Sequence, residues 1–186
     1  DPLSFYDINN KEWQKNILHF GGGSDSLEQA YILTWLNYYE EIIEDTLFGG
    51  NVHEFNKDPF SSTLNNNDFQ KTQELLETGV SLITFFGHSS SGAGFSQNID
   101  SPDNWNNQGK YPLVIGLGCH TGDVHGNDTL GYSESLVNSS DEGAIGFIST
   151  VKQGFQPHVN NYTLFLYHMI GEFGYGNTIG EQMKMT

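Results

Sequence analysis

Two residues capable of nucleophilic chemistry follow two of the most apolar segments of the chain. Residues 82–86 lead into His88, and residues 113–117 lead into Cys119. Cysteine attacks carbonyl carbons as its thiolate, and a neighbouring imidazole can take the thiol proton and later give it to a leaving amine. The two side chains are 119 − 88 = 31 positions apart, so they can cooperate only if the fold places both segments side by side. The pattern predicts acyl transfer by a thiol–imidazole pair.

Glycines flank both candidate catalytic residues. Gly87 precedes the histidine, while Gly118 and Gly122 lie on either side of the cysteine. Residues without a side chain leave room for a substrate backbone and let main-chain N–H groups point at a developing oxyanion. A lone cysteine at a strand end has a simpler explanation as a small buried packing residue. The joint pattern at two strand ends favours chemistry over packing.

Hydrophobic patterning predicts strands and helices that alternate along the chain. Continuous apolar runs, typical of strands covered on both faces, occupy residues 17–20, 80–86, 112–118 and 143–149, and residues 51–55 give a weaker strand signal. Helical spacing occupies residues 68–78, 131–138 and 159–173. The alternation predicts an α/β fold with a mostly parallel sheet between two layers of helices. Functional residues of such folds gather at the carboxyl ends of the strands, where the histidine and the cysteine fall.

A further helix is expected between the first two strands. Ser24 or Ser26 should cap it, and it should end before Gly49. Its expected inward face is the apolar stripe formed by Leu27, Tyr31, Trp35, Tyr38 and Ile42.

Composition and charge restrict the partners of the chain. Its 186 residues include 23 acidic and 7 basic side chains, and the resulting net charge of −16 would repel nucleic acid phosphates and anionic lipid surfaces. No apolar run approaches the ~20 residues that a membrane span needs. The single cysteine rules out an intrachain disulfide and a multi-cysteine zinc site. We therefore expect one soluble domain over residues 1–186, excised from a longer polypeptide because no initiating methionine or signal peptide precedes Asp1.

Three blocks of the sequence resemble the gingipains and their relatives in the caspase-like clan of cysteine peptidases. Residues 79–90 are similar to the strand and Gly-His block that presents the catalytic base of that family. Residues 112–123 resemble the strand and Cys-x-x-Gly segment that carries its nucleophile, and residues 133–136 with 143–150 resemble the next helix and strand. The similarity extends over residues 13–180.

The resemblance implies a fold and an activity. The fold would be a caspase-like three-layer α/β/α sandwich with a mostly parallel central sheet. His88 would be the base and Cys119 the nucleophile of a cysteine endopeptidase that works through a thioester acyl-enzyme. Ser89 stands where many members have glycine, and with Gly87 and Gly118 it is expected to shape the backbone or form the oxyanion hole.

The resemblance also implies a specificity pocket and partners. Gln153 and Phe155 match the segment that surrounds the pocket and are expected to bind substrate. The chain resembles the second, dyad-bearing half of the catalytic domain, so an N-terminal caspase-like subdomain of the same polypeptide is an expected partner beside a peptide or protein substrate. The expected location is outside a bacterial cell or on its surface. No cofactor is expected, and structural calcium is compatible with the surplus carboxylates although no ligand can be named.

One element of the family's site has no visible counterpart in the sequence. Members place an acidic residue just before the first Gly-Gly turn, where it assists the histidine, whereas Phe20 and Gly21 stand there in this chain. No third catalytic residue is therefore assigned. Asp25 resembles the acidic pocket residue of arginine-specific members only loosely, and a carboxylate at a helix N-terminus is stabilised by the helix dipole without any substrate. Cleavage after basic residues is not assigned.

Two other interpretations stay open. The loop that carries Cys119 also holds potential metal ligands in His120, Asp123, His125 and Asp128, although their spacing matches no standard zinc pattern. The missing acidic partner favours, alternatively, a catalytically degenerate peptidase domain used in surface binding or secretion-linked assembly. Against degeneration, a thiol and an imidazole at paired strand ends have no structural purpose.

Overall fold

Five strands form one parallel sheet. The computed structural model describes residues 11–44, 47–95, 97–99, 101–125 and 130–186. The strands are β1 Asn16–Gly22, β2 Asn51–Asn56, β3 Leu82–Gly87, β4 Leu113–Leu117 and β5 Gly146–Ser149. Every adjacent pair is parallel, and the order across the sheet is β2-β1-β3-β4-β5. The predicted α/β fold with a parallel sheet is confirmed.

Helices occupy most of the connections between strands. They are α1 Ser26–Ile43, α2 Asn66–Thr78, α3 Tyr132–Asn138, α4 Gln156–His168 and α5 Ile179–Met185. Short 3-10 turns span Glu12–Lys15 and Pro102–Asn104, and a π-helical turn, Met169–Phe173, follows α4 directly. The strict strand–helix alternation that we expected fails between β3 and β4, because the described part of that connection contains only the second 3-10 turn.

Two predicted boundaries differ from the structure for local reasons. The strand expected over 143–149 begins only at Gly146, because Gly143 has a φ of +103° and the N–H of Ala144 donates to the carbonyl of Leu136 at 2.9 Å. The helix expected over 159–173 begins earlier, at Gln156, and widens into the π-helical turn at its end.

Apolar side chains are buried on both faces of the sheet. On one face, α1 and α4 contribute to a buried cluster with the strands that includes Leu36, Leu166 and Ile115. On the other face, α2 and α3 contribute to a second cluster that includes Leu76, Leu136 and Ile83. Full burial of a large aliphatic side chain contributes about 1.5–3 kcal/mol. Because helices cover both faces of the sheet, packing fixes the positions of its central strands. The edge formed by the carboxyl ends of these strands is called the carboxyl rim.

The inward face of α1 is not the one predicted. Leu27, Tyr31 and Tyr38 are 83%, 39% and 51% exposed, and of the predicted stripe only Trp35 and Ile42 pack against the core. The fully buried apolar residues of α1 are instead Ile32, Leu36, Tyr39 and Ile43. Both sets have helical spacing, so periodicity alone cannot select between them.

Tyr39 shows why the second set faces inward. Its ring stacks on that of Tyr167 with centroids 4.9 Å apart, and its hydroxyl donates to the backbone carbonyl of Asn160 at 3.4 Å. A buried tyrosine needs such a partner for its hydroxyl. The exposed Tyr38 can leave its hydroxyl in water, and the hydroxyl of the partly exposed Tyr31 accepts a hydrogen bond from the side-chain amide of Asn160 at 3.0 Å.

Asp25 caps α1, in place of the serines that we expected. Its Oδ1 accepts hydrogen bonds from the N–H groups of Leu27 and Glu28 at 2.8 and 2.9 Å. An aspartate at this position satisfies two donors that the helix itself leaves unpaired. The cap fixes the first turn of α1 just beyond the carboxyl end of β1, and with it the position of Glu28.

A small polar group lies in the core between the sheet and α4. The hydroxyl of Tyr167 is 2.8 Å from Nε2 of His19 and 2.6 Å from Oγ1 of Thr84. His19 is fully buried, and the loss of hydration lowers its pKa to about 3. Its imidazole is therefore neutral in the folded chain near neutral pH.

Candidate active site

The register of β3 and β4 brings the two predicted catalytic residues to one edge of the sheet. Phe86 pairs with Leu117 across the two strands, and this pair has the same separation of 31 positions as His88 and Cys119. Each of the latter lies two residues beyond the paired position. Because parallel strands end at the same edge, both side chains emerge from the carboxyl rim of adjacent strands.

Both side chains line one cavity of about 330 Å³. Cys119 is a free, half-buried cysteine, whereas the His88 side chain is 64% exposed. The predicted pocket residues Gln153 and Phe155 line the same cavity. The structure thus brings together all four side chains that sequence analysis assigned to catalysis or substrate binding.

Gly87 and Gly118 have no room for a side chain at this edge of the sheet. A Cβ on Gly87 would lie 2.5 Å from the carbonyl oxygen of Gly22 on β1, and a Cβ on Gly118 would lie 1.8 Å from Oγ of Ser89. Both distances are far below van der Waals contact. A side chain at position 87 would push against the backbone of β1, and one at position 118 would displace the side chain of Ser89.

Ser89 links the histidine loop to the cysteine loop. Its hydroxyl donates a hydrogen bond to the backbone carbonyl of Cys119 at 3.1 Å. On the opposite side, the hydroxyl of Thr150 donates to the carbonyl of Gly118. The carbonyls of Gly118 and Cys119, which precede and follow the N–H of Cys119 along the backbone, therefore each accept a hydrogen bond from a hydroxyl of a neighbouring segment.

Backbone hydrogen bonds attach the cysteine loop to the segment after β5. The N–H of His120 donates to the carbonyl of Lys152 at 3.0 Å, and the N–H of Gly122 donates to the carbonyl of Thr150 at 3.0 Å. His120 has a φ of +61°, a left-handed conformation that costs energy in a residue other than glycine and recurs at functional sites. This attachment holds the segment that contains Gln153 against the loop that carries Cys119.

Glu28 supplies a carboxylate to His88. Its Oε2 lies 3.0 Å from Nε2 of the histidine, and it also accepts hydrogen bonds from the N–H and the hydroxyl of Ser24 at 2.8 and 2.6 Å. Its Oε1 accepts from the side-chain amide of Gln156 at 3.3 Å. Partial burial acts to raise the pKa of Glu28, but the hydrogen bonds from Ser24 and the contact with His88 outweigh it and lower that pKa to about 2. The carboxylate is ionised near neutral pH.

The family model of peptidase family C25 matches residues 3–186 of the chain. The chain belongs to peptidase family C25. This confirms the gingipain-type resemblance found in the three sequence blocks. No curated protein matches the sequence.

Solved structures support the fold of this C25 chain. It superimposes on the Arg-specific cysteine proteinase gingipain R (RGPB) with a TM-score of 0.71 at 13% identity, covering 94% of this chain and 41% of that one. A complex of the pro- and mature domains of RgpB from Porphyromonas gingivalis gives a TM-score of 0.68 at 12% identity over 88% and 39% of the two chains. A third structure, described as a protease, gives 0.62 at 17% identity over 86% and 34%. At these identities the likeness shows the caspase-like fold, and the C25 chain spans less than half of each protein.

Glu28 is the site residue that sequence analysis missed. The family resemblance predicts an acid just before the first glycine turn, whereas the carboxylate at His88 comes from the first turn of α1, the helix that follows this turn. The contact follows from the strand order, because β1 pairs with β3 and Gly22 lies opposite Gly87, and no pattern in the sequence specifies that order. A carboxylate early in the helix that follows β1 is therefore close to the histidine that follows β3.

The predicted alternative metal site does not form among the described residues of the C25 chain. Oδ2 of Asp123 lies 3.9 Å from Nδ1 of His120 and 3.6 Å from Nζ of Lys152, so a lysine shares the carboxylate. The N–H of His125 donates to Asp123 at 3.2 Å and, with the nearby lysine, lowers the pKa of its carboxyl. Asp128 lies outside the described residues. Within the described ranges, no group of three or more His, Cys, Asp or Glu side chains could hold a metal, and structural calcium stays an untested prediction.

A second, more open cavity of about 690 Å³ adjoins the site on the side of α1. Its lining includes His88, Glu28, Asp25, Tyr31 and Leu27. Asp25, the acid that resembles a pocket residue of arginine-specific members, lines this cavity while it caps α1.

None of the described helices combines the length and the apolar character that crossing a membrane demands.

Proposed function

We propose that this C25 chain is the catalytic part of a cysteine-type endopeptidase that hydrolyses peptide bonds through Cys119 and His88, with Glu28 holding the histidine. One observation carries the proposal. The free thiol of Cys119 and the imidazole of His88 lie just beyond the ends of two adjacent strands and line one cavity. The imidazole is hydrogen-bonded to the ionised carboxylate of Glu28. This is the arrangement of nucleophile, base and orienting group that acyl transfer needs.

The hydrogen bond to Glu28 assigns the two nitrogens of His88 different tasks. Nε2 keeps its proton and donates a hydrogen bond to Glu28, because an ionised carboxylate can only accept. Nδ1 is then the nitrogen that takes the proton from the thiol of Cys119. The imidazolium that forms is stabilised by the facing carboxylate, so Glu28 favours the thiolate–imidazolium pair.

The thiolate sulfur attacks the carbonyl carbon of the scissile peptide, and the π electrons of that carbonyl move to its oxygen. We propose that the N–H groups of Ser89 and Cys119 stabilise this oxyanion, because the N–H of His88 is already donated to the carbonyl of Gly22 at 3.2 Å. The hydroxyl of Ser89 and its bond to the carbonyl of Cys119 keep the two donors in a fixed relation.

Collapse of the tetrahedral intermediate yields the thioester. The C–N bond breaks, and the leaving nitrogen takes the proton from Nδ1 of His88. A water molecule then attacks the thioester carbonyl while His88 accepts its proton. The C–S bond breaks, the acid product leaves, and the proton returns to the thiol of Cys119.

The family and the share of the domain that the chain represents support proposals for the substrate, the partner and the location. We propose a peptide or protein substrate whose side chain enters the cavity beside Gln153 and Phe155. Because the chain spans about two fifths of gingipain R, we propose that it works together with an N-terminal caspase-like subdomain. We also propose export to the outside or the surface of a bacterial cell, as the family resemblance implies.

The degenerate-domain alternative depended on the absence of an acidic partner for His88. Glu28 occupies that role in the proposed mechanism, so the reason for preferring a non-catalytic domain no longer applies. We therefore propose a single function.

Peptidyl acyloxymethylketones provide the direct test, because they alkylate activated cysteine nucleophiles. We expect a panel that varies the residue next to the warhead to label the folded chain at Cys119, and fluorogenic peptides with the same residues to be hydrolysed. Cys119→Ala should abolish both, and His88→Ala should reduce turnover by on the order of 10²-fold or more. Absence of labelling with every member of the panel would contradict the proposed function.

A further inference from the structure

The cavity beside Cys119 has largely apolar walls. Phe86 and Leu117 are the last core residues of their strands, and they form part of its lining with 1% and 3% of their surface exposed. Val159 lines it from α4, and Phe155 lines it from the position just before that helix. Its volume of about 330 Å³ lies within the usual range of sites that enclose a small ligand, ~300–1,000 Å³.

No carboxylate is present among the described residues that line this cavity. Apart from Cys119 and His88, its polar side chains are the uncharged amides Gln153 and Gln156. An arginine or lysine side chain inserted there would lose its hydration without gaining a charged partner, which is strongly unfavourable.

Two carboxylates that line the neighbouring cavity at His88 are already engaged. Glu28 accepts hydrogen bonds from His88, Ser24 and Gln156. Asp25 accepts from two N–H groups of α1 and lines the neighbouring cavity on the other side of His88. Neither Glu28 nor Asp25 lines the cavity beside Cys119, so a substrate guanidinium in that cavity would meet no carboxylate from its described walls.

We infer that the cavity beside Cys119 selects an apolar side chain, such as leucine, methionine or phenylalanine, at the residue whose carbonyl is attacked, and that it rejects arginine and lysine. The inference rests on the proposed function, since it concerns the substrate of the same site. It separates this chain from gingipain R, which is described as Arg-specific.

The test compares second-order rate constants for labelling of Cys119 by acyloxymethylketone peptides that differ only in the residue next to the warhead. Leucine, methionine, phenylalanine, glutamine, aspartate, lysine and arginine form the series. We expect the peptide with the best apolar residue to react at least ~100-fold faster than the arginine or lysine peptide. Placing a cation in the cavity without a charged partner costs more free energy than placing an apolar side chain there.

A charge-introducing variant tests the cause of this preference. Gln153→Glu keeps the shape of an exposed cavity residue and adds a carboxylate at the place where a substrate cation would need one. It should raise the rate with arginine relative to leucine by at least ~10-fold. Gln70→Glu is the matched control, because Gln70 is exposed on α2 on the opposite face of the sheet and adds the same charge away from the cavity.

The outcomes separate the inference from the function on which it rests. Fast labelling with arginine, lysine or a polar residue in the unmodified chain would overturn the inference while leaving the peptidase function intact. An equal shift in Gln70→Glu and Gln153→Glu would overturn the explanation by cavity charge. No labelling by any member would contradict the proposed function itself.

Discussion

Glu28 and His88 are 60 positions apart in sequence, and their side chains meet at 3.0 Å between Oε2 and Nε2. The contact exists because β1 and β3 are neighbours in the sheet, so that the helix after one strand passes over the end of the other. It links the first turn of α1 to the proposed catalytic base.

Glu28→Gln should leave the fold intact and lower kcat/KM by on the order of 10²-fold, because the amide fills the same space but cannot stabilise an imidazolium. Since the pKa of Glu28 is about 2, protonation of this carboxylate should not contribute to any loss of activity at mildly acidic pH in the unmodified chain. The measurement is a pH profile of peptide hydrolysis. Glu41→Gln, an exposed position on the same helix, should match the unmodified chain; equal rates in Glu28→Gln would show that the contact is merely structural.

Gly118→Ala should impair both stability and activity, because the new Cβ would meet Oγ of Ser89 at 1.8 Å. Overpacking of this kind costs about 1–3 kcal/mol. In the double variant Ser89→Gly with Gly118→Ala that clash is removed, so a large part of the lost stability should return. Urea denaturation of the two single variants and the double variant gives the coupling energy, and purely additive effects would contradict the contact.

Leu36→Ala should lower the free energy of unfolding by about 2–5 kcal/mol, because Leu36 is fully buried between α1 and the sheet. Leu27→Ala removes the same atoms from a residue that is 83% exposed and should change stability by less than about 0.5 kcal/mol. Chemical denaturation of the pair measures which stripe of α1 faces the core. If Leu27→Ala were more destabilising than Leu36→Ala, the inward face of α1 would be the one predicted from the sequence.

His19 should make stability depend on pH. Its folded-state pKa of about 3 lies below its unfolded value of 6.5, so the unfolded chain binds the proton first. Stability is full above pH 6.5 and declines as pH falls from there toward 3. Between pH 7 and 5 the expected loss is about 2 kcal/mol.

His19→Gln is the informative variant for that dependence, because the amide can still bond the hydroxyl of Tyr167 but does not titrate. Urea denaturation at pH 7 and pH 5 should show a smaller loss in the variant than in the unmodified chain. An identical loss in both proteins would mean that other groups account for the pH dependence.

The sequence was sufficient to predict the elements that obey local rules. Continuous apolar runs marked the central strands, and the common offset between the pairs Phe86–Leu117 and His88–Cys119 follows from two parallel strands in register. Residues at the ends of adjacent strands are therefore predictable even when they lie far apart in sequence.

Other features depend on packing that local patterns do not record. α1 has two apolar stripes of the same period, and only its contacts with the sheet and α4 decide which one is buried. The contact of Glu28 with His88 requires the path of α1 over the sheet edge. The approach of Gly118 to Ser89 depends on the distance between two loops, which no spacing in the sequence specifies.

The pairing of Cys119 with His88 is the central claim, and alkylation by iodoacetamide tests it most directly because the chain has a single cysteine. Intact mass then counts the adducts without ambiguity. In the folded chain at pH 7 we expect one adduct, formed at least ~10-fold more slowly in His88→Ala, since the imidazole no longer favours the thiolate. His125→Ala, which removes an exposed imidazole from the same loop region, should react like the unmodified chain. Alkylation that requires denaturant, or that proceeds equally fast in His88→Ala, would contradict the pairing.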